Sequence, residues 1–134
     1  MMIIVDTCVW SLALRSQGFK LSPVVIELEN LINAFRVQML GPIRQEILSG
    51  IRSKTQFAHL KKRLEHFPDL PIITEDYVRA AEYFNLCRGK GVQGSNTDFL
   101  ICAVAKRNDF SLYTIDKDFQ TFAQYIPIKL HKPN

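Results

Sequence analysis

Several features that would assign a protein to a particular class are missing from this sequence. No apolar run approaches the roughly 20 residues that a membrane-spanning helix needs, so we expect no membrane association. The first residues, MMIIVD, contain no basic segment and soon reach an acid, which argues against a signal peptide. Only three cysteines are present and none stands in a CxxC pair, so we expect reduced thiols in a cytoplasmic protein.

Other absences exclude specific chemistries. The three histidines lack the spacing of a zinc site. The glycines of residues 89–94 are not followed by the helix-opening lysine of a P-loop. A phosphatase with a D-x-D motif at Asp6 would need a second acid at position 8, where this chain has Cys8. A receiver domain would need a pair of acids at the end of the first strand, and only one acid stands there. A cysteine nucleophile remains a less favoured alternative.

The length and composition indicate one folded domain. A chain of 134 residues buries roughly two-thirds of its unfolded surface, which is enough for a core without disulfides. With 47% hydrophobic and 22% charged residues, the chain is neither disordered nor fibrous. Because no repeat or linker divides the sequence, we expect residues 1–134 to form a single domain. The net charge of +4 alone says little about partners.

The hydrophobic pattern alternates between short apolar runs and helical segments. Short apolar runs between turn residues predict buried strands, and apolar residues at a spacing of 3.6 predict helices. The predicted strands cover residues 2–5, 37–40, 70–73 (a weak strand), 111–115 and 127–130 (an edge strand), and the predicted helices cover residues 24–35, 43–49, 54–66, 75–88, 97–106 and 117–124.

Cap residues mark the starts of three predicted helices. Ser22 stands before Pro23 at the start of the helix predicted at residues 24–35. Thr74 precedes the helix at 75–88, and either Ser95 or Asn96 caps the helix at 97–106. Strands that alternate with helices predict parallel strands joined by right-handed crossovers. We therefore predict a three-layer α/β/α sandwich around a mostly parallel sheet. Such sheets bind ligands beyond the carboxyl ends of their strands, where the strand order reverses.

Four acids are predicted to lie at that edge of the sheet. Asp6 ends the first strand, and Asp116 follows the strand that precedes the last short helix. Glu46 lies in the helix after the second strand, and Asp98 in the first turn of an apolar helix. Taken singly, each acid is also explained as a cap, a helix-dipole partner or a solvated residue. Their joint placement is what predicts a shared cleft.

A cleft with several carboxylates predicts a divalent cation. Like charges a few ångströms apart raise one another's pKa values, and a hard cation removes that conflict. Mg²⁺ or Mn²⁺ binds carboxylate oxygens and water in octahedral geometry. Such a site lowers the pKa of a bound water and holds phosphate oxygens during a displacement at phosphorus.

Four segments resemble the motifs of PIN-domain proteins, in the family's order and approximate spacing. The pair formed by the last two segments is the specific part of the similarity, which extends over nearly the whole chain. One departure is Cys102, where family members usually carry a small residue such as Ala. The segments are IVDT at residues 4–7, QEILSG at 45–50, TDFLICAVA at 97–105 and YTIDKDF at 113–119.

The resemblance, together with the chain length, implies the toxin half of a VapBC toxin–antitoxin pair. It implies a Mg²⁺- or Mn²⁺-dependent endoribonuclease whose metal-binding acids map onto Asp6, Glu46, Asp98 and Asp116. Asp6 and Asp98 are then the direct ligands. A metal-activated water, aligned by Asp116 or Glu46, is expected to attack the scissile phosphate of RNA.

The resemblance also implies supporting residues and partners. Thr114 resembles the family's active-site hydroxyl, and Thr7 supports the first acid. Asp118 either assists through a water molecule or, the slightly favoured alternative, caps the last short helix. The implied partners are a second copy in a homodimer and a small VapB-like antitoxin that wraps over the cleft and inserts a cationic side chain among the acids.

The remaining charge suits a nucleic-acid substrate. If four of the 13 acids are neutralised in the cleft, 17 basic residues face nine acids, an excess of eight. The basic run at residues 61–63 is by default a solvated helix face, and phosphate binding is the alternative. We expect single-stranded or looped RNA to lie on Arg52, Lys54, Lys61, Lys62, Arg88 and Lys90.

Two other functions stay open. One is a PIN nuclease of RNA maturation outside a toxin pair, which only the neighbouring gene would separate from a toxin. The other is a non-catalytic interaction module that keeps the PIN fold, and the presence of all four acids speaks against it.

Overall fold

A four-stranded parallel sheet forms the centre of the structure, a computed structural model that describes residues 1–15 and 22–133. The strand order is β2–β1–β3–β4, and every neighbouring pair is parallel. The predicted edge position of the last strand is confirmed. The strands are β1 (Ile3–Val5), β2 (Val37–Gln38), β3 (Ser111–Tyr113) and β4 (Lys129–Leu130).

Seven helices flank this sheet within the described residues, which confirms the predicted α/β class. Helix α5 packs against α6, α6 packs against β3, and α1 contacts both α2 and α3. The helices are α1 (Thr7–Arg15), α2 (Pro23–Asn33), α3 (Gly41–Leu48), α4 (Lys54–Leu64), α5 (Thr74–Gly89), α6 (Asn96–Asn108) and α7 (Asp118–Phe122).

The strand order reverses beside β1. From β1 the chain passes to β2 on one side and later returns to β3 on the other side. Val5 and Tyr113, the last residues of β1 and β3, are paired, and the amide of Asp6 donates to the carbonyl of Tyr113 at 2.9 Å. Ligands of open parallel sheets bind at such a reversal, so we expect a binding site beside the segments that follow β1 and β3.

Strand β1 and helix α6 contribute many of the buried residues of the core. All three residues of β1 are buried, as the apolar run before Asp6 predicts. Phe99 and residues 101–105 of α6 are buried as well; burying a large apolar side chain stabilises a fold by about 1.5–3 kcal/mol. No helix in the described part of the chain combines the length and the apolar character that crossing a bilayer requires.

The strand predicted at residues 70–73 is wrong. The chain makes only a single parallel bridge there, between Met39 and Asp69, and the amide of Leu70 donates to the carbonyl of Met39 at 3.0 Å. Prolines stand on either side of this bridge. Because proline has no N–H to donate, it cannot extend a ladder, and the chain leaves the sheet.

Two predicted caps are confirmed. The Ser22 hydroxyl accepts a hydrogen bond from the amide of Val25 at 3.3 Å at the start of α2. The Ser95 hydroxyl accepts one from the amide of Asp98 at 3.0 Å, so Ser95 rather than Asn96 is the cap of α6. Helix α2 is shorter than predicted, because the chain turns into the left-handed region at Phe35, where φ is 56°.

The cap predicted at Thr74 is wrong, because the side chain of Asp76 binds the backbone at the start of α5 instead. Thr74 is already the first residue of α5, and the preceding amide, that of Ile73, donates to Oδ2 of Asp76 at 3.0 Å. Asp76 is buried and accepts two hydrogen bonds from Arg107, at 2.7 and 2.9 Å. Burial raises the pKa of this carboxyl, but the bonds from Arg107 and Ile73 outweigh burial, and the net pKa is lowered.

Candidate active site

Asp6 is a buried carboxylate at the point where the strand order reverses. Its Oδ1 accepts the amide of Thr7 at 2.8 Å. Its Oδ2 accepts the hydroxyl of Thr114 at 2.8 Å and the thiol of Cys8 at 3.3 Å. Three donors from the ends of two strands therefore hold this carboxylate in one orientation.

Thr7 connects Asp6 to a second predicted acid. While its amide binds Asp6, its hydroxyl donates to Oε1 of Glu46 at 2.7 Å. Glu46 is exposed on α3, the helix that follows β2, and lies 39 positions away in the sequence. The structure thus brings Glu46 to the same edge as Asp6, and Thr7 binds both acids.

Thr114 connects Asp6 to the third acid. Its oxygen donates to Asp6 and accepts the amide of Asp116 at 3.0 Å. Asp116 in turn accepts the amide of Asp118 through Oδ1 at 2.9 Å. The capping role favoured for Asp118 therefore belongs to Asp116, since it is the side chain of Asp116 that binds the first amide of α7. The carboxylate of Asp118 is exposed.

Asp98 lies in the first turn of α6. Its Oδ2 accepts the backbone amide of Ser95 at 3.3 Å. Burial raises the pKa of Asp98; the hydrogen bonds with Ser95 oppose this, and the negative charges of Asp6 and Asp116 raise the pKa further. The net pKa is raised, with burial as the largest cause.

The acids of this site lack cationic partners. Elsewhere in the described residues, ion pairs join a carboxylate to a basic side chain at five places. Within residues 1–15 and 22–133, none of these pairs involves an acid of the site, although the chain carries 17 lysines and arginines. The site acids are Asp6, Glu46, Asp98, Asp116 and Asp118.

The donor set fits a hydrated hard cation better than a cage of protein ligands. Over residues 1–15 and 22–133, no group of three or more His, Cys, Asp or Glu side chains forms a site that could hold a metal ion. Mg²⁺ commonly keeps several waters and uses only one or two carboxylates. Asp6 and Asp98 offer carboxylate oxygens for such a cation, and each carboxylate is held by backbone amides of its own segment.

Cys8 is a site residue that the sequence did not reveal. Its thiol lies 3.3 Å from Oδ2 of Asp6 and 3.4 Å from the hydroxyl oxygen of Thr114. Burial raises its pKa, and the charge of Asp6 adds to this against the opposing bonds from Thr114 and the Ile115 backbone. A raised pKa keeps the thiol protonated, which makes it a donor and opposes a role as nucleophile. The only signal was its position two residues after Asp6.

The basic residues predicted to contact RNA are all exposed, and they stand in two groups. One group follows α3 and runs along α4, and the other is at the end of α5 and in the next loop. Beside Glu46, a groove of about 720 Å³ lies between α1, α3 and α4, and its basic lining residues are Arg15, His59 and Arg63. The predicted residues are Arg52, Lys54, Lys61, Lys62, Arg88 and Lys90.

Comparison with known sequences gives a family for this arrangement. The family model described as PIN domain matches residues 3–125. VapC ribonuclease Mb1587 of Mycobacterium bovis is 31% identical over 128 residues, which cover 92% of this chain and 92% of the relative. Ribonuclease VapC11 of Mycobacterium tuberculosis has the same identity and coverage.

Comparison with solved structures gives the same fold. FitAcB from Neisseria gonorrhoeae superposes with a TM-score of 0.78 and 23% identity, over 98% of this chain and 97% of that one. VapBC2 from Rickettsia felis, bound to a DNA fragment from its promoter, superposes with a TM-score of 0.77 and 18% identity over the whole of both chains. The predicted PIN-like architecture is confirmed.

Proposed function

Because this chain belongs to the PIN domain family and is of the VapC type, we propose that it is an endoribonuclease dependent on Mg²⁺ or Mn²⁺. The single observation that carries the metal dependence is that the hydroxyls of Thr7 and Thr114 bring Glu46 and Asp116 to Asp6, while none of these acids forms an ion pair within residues 1–15 and 22–133. A cluster of negative charge without a counter-ion would repel a phosphate, so a cation is needed before RNA can approach.

Asp6 and Asp98 are the residues that would hold the metal. Asp6 is fixed by three donors, and Asp98 is fixed at the start of α6 by Ser95. When bound, the metal supplies a water of lowered pKa and a positive charge for the phosphate oxygens. Asp6 and Asp98 keep their orientation without rearrangement, because their hydrogen-bond donors belong to the ends of regular elements.

Glu46 and Asp116 are the two candidates for aligning the attacking water. Oε1 of Glu46 accepts the hydroxyl of Thr7, and Oδ1 of Asp116 accepts the amide of Asp118. In each case the structure gives no protein partner to the second oxygen among the described residues. That oxygen is available to accept a proton from water as it attacks the scissile phosphate.

We further propose that the protein is the toxin of a cytoplasmic toxin–antitoxin pair and acts as a homodimer. A VapB-like antitoxin would bind in the groove beside Glu46, where Leu14, Ile47 and Leu60 offer apolar contacts. A cationic side chain from this partner would satisfy the unpaired acids and exclude the metal. Exposed apolar residues on α5, namely Tyr77, Val78 and Leu86, support a subunit contact on that helix.

Two assays test the proposal. Purified protein should cleave RNA in Mg²⁺ or Mn²⁺ and stop in EDTA, and the Asp98→Asn variant should be inactive, which excludes a contaminating nuclease. Undiminished cleavage in EDTA would contradict the mechanism.

Expression should arrest growth unless the adjacent upstream open reading frame is co-expressed. Cleavage without arrest, unaffected by that reading frame, would favour a nuclease of RNA maturation; no cleavage at all would favour an interaction module.

A further inference from the structure

We propose that a pocket between α5 and the loop before α6 binds an unpaired nucleobase of the RNA, one or two nucleotides from the scissile phosphate. This proposal rests on the proposed ribonuclease function and adds a substrate-binding position to it. The pocket has a volume of about 260 Å³. It is lined by Phe84, Arg88, Val92, Gln93, Gly94 and Phe99.

The pocket adjoins the acidic site through a single turn of the chain. Phe99 lines the pocket and directly follows Asp98. Gly94 lines it too and directly precedes Ser95, whose amide donates to the carboxylate of Asp98. Four residues of chain span at most about 14 Å, so a strand whose phosphate lies at Asp98 has its neighbouring bases within reach of the pocket.

The aromatic lining provides a surface on which a base can stack. The half-buried ring of Phe84 meets Phe99 edge-to-face, with the ring centroids 5.7 Å apart. Phe99 is itself buried against Phe122, with centroids at 4.7 Å, so the floor of the pocket is rigid. Stacking on aromatic side chains is the usual way in which proteins hold bases of single-stranded RNA.

The glycine in the lining keeps the loop close to these rings. A Cβ at Gly94 would lie 2.6 Å from Cζ of Phe122 and 2.9 Å from Cε2 of Phe99. Any larger residue would push the loop off the rings and change the wall of the pocket. The close approach also fixes the start of α6, and therefore fixes the position of the pocket relative to Asp98.

Two polar side chains at the pocket suit a nucleotide rather than an apolar ligand. Arg88 and Gln93 are exposed, and neither side chain has a hydrogen-bond or ion-pair partner among residues 1–15 and 22–133. The guanidinium of Arg88 matches the charge of a phosphate and can also stack on a base. The amide of Gln93 can both donate to and accept from the edge of a base.

An abasic scan tests this position. Single-stranded RNA oligonucleotides with one abasic ribose at successive positions are compared for binding in Ca²⁺, by fluorescence anisotropy, and for kcat and KM in Mn²⁺. In the wild type, one position should weaken binding by about fivefold to a hundredfold, the range for one stacked base. In Phe84→Leu, which keeps an apolar side chain without the ring, that penalty should disappear.

The controls separate the subsite from the nuclease itself. Tyr125→Leu, which changes an exposed aromatic residue outside the pocket, should keep the wild-type penalty. Arg88→Ala should raise KM and leave kcat nearly unchanged. A penalty of equal size in the wild type and in Phe84→Leu at every position, or no binding of the unmodified RNA, overturns the subsite. If RNA is bound with this pattern but is not cleaved in any metal, the ribonuclease proposal fails while the subsite stands.

Discussion

The hydroxyl of Thr114 donates a hydrogen bond to Oδ2 of Asp6 at 2.8 Å, although the two residues are 108 positions apart. The same oxygen accepts the amide of Asp116 at 3.0 Å. One hydroxyl therefore ties the end of β1 to the loop after β3, across the point where the strand order reverses. This link holds Asp6 and Asp116, the first and last of the four predicted metal-binding acids, in a fixed relation.

Removing that hydroxyl should impair catalysis more than folding. Thr114→Val keeps the shape of the side chain but leaves Asp6 without one donor and Asp116 without an acceptor for its amide. We expect kcat/KM for RNA cleavage to fall by about tenfold to a hundredfold, as for other residues that orient metal ligands. Thr114→Ser should recover most of the activity, since it restores the hydroxyl. Equal activity of the Val and Ser variants would show that the link has no catalytic role.

The raised pKa of Asp98 predicts an unusual dependence of stability on pH. A carboxyl whose pKa is raised in the folded state favours the fold while it is protonated, and this contribution is lost as the pH rises through the raised pKa. In EDTA, Asp98→Asn should therefore melt at a higher temperature than the wild type at pH 7, and the difference should vanish near pH 3.

The same variant separates stability from activity. Asp98→Asn should lose about a hundredfold or more in cleavage rate, because it removes a metal-binding charge. Glu29→Gln, which changes an exposed acid of α2, serves as the control and should alter neither property. An Asp98→Asn variant that melts below the wild type at pH 7 in EDTA would contradict the account of repulsion among the acids.

The ion pair between the buried Asp76 and the exposed Arg107 predicts the opposite dependence on pH. The pKa of Asp76 is lowered, so its stabilisation is present above the usual carboxyl range and is lost as the pH falls through the lowered pKa. Asp76→Asn should lower the free energy of unfolding by about 2 kcal/mol at pH 7, the scale of a charged hydrogen bond. Chemical denaturation at pH 7 and at pH 3 should show this loss shrinking at the lower pH.

An exposed pair provides the matched control for that experiment. Asp109 bonds to Lys129 at 2.6 Å but is exposed, and its φ of 58° is one that Asn adopts readily. The bond from Lys129 lowers the pKa of Asp109 as well, but solvent screens this exposed pair, so Asp109→Asn should cost much less stability than Asp76→Asn at pH 7. If both variants lose equal stability, the burial of Asp76 is not what makes its ion pair important.

The basic residues of α4 give a prediction about RNA affinity. Lys61 and Lys62 are exposed in the last turn of that helix, whereas Arg63 lines the groove beside Glu46. If this helix holds RNA, Lys61→Ala/Lys62→Ala should flatten the slope of log affinity against log salt by about 0.7 for each phosphate that is no longer neutralised. Turnover of bound RNA should hardly change. A slope that stays the same in the double variant would identify these lysines as a solvated face.

The parts of the fold that could be predicted depend on residues near one another in the sequence. The apolar run before Asp6, the cap at Ser95 and the buried helix α6 are each encoded within a few residues, and the structure contains all three. The topology then followed from the alternation of strands and helices. The same rule placed the acids at the carboxyl edge, because it depends only on which residue follows which strand.

The parts that could not be predicted depend on partners chosen in three dimensions. The pairing of Asp76 with Arg107 joins residues 31 positions apart, and nothing local distinguishes that acid from its neighbour Glu75. The thiol of Cys8 meets Thr114 only because β1 and β3 are paired. The bridge between Asp69 and Met39 also joins residues that are far apart in the sequence. The prolines on either side of it prevent the bridge from growing into a strand.

The central claim is that Asp6 and Asp98 share one divalent cation. Calorimetric titration of Mn²⁺ into the metal-free protein tests it without reference to any RNA. The wild type should bind Mn²⁺, Asp6→Asn and Asp98→Asn should each lose at least about tenfold in affinity, and Glu75→Gln, an exposed acid outside the site, should bind as the wild type does. Wild-type affinity in both aspartate variants would contradict the claim.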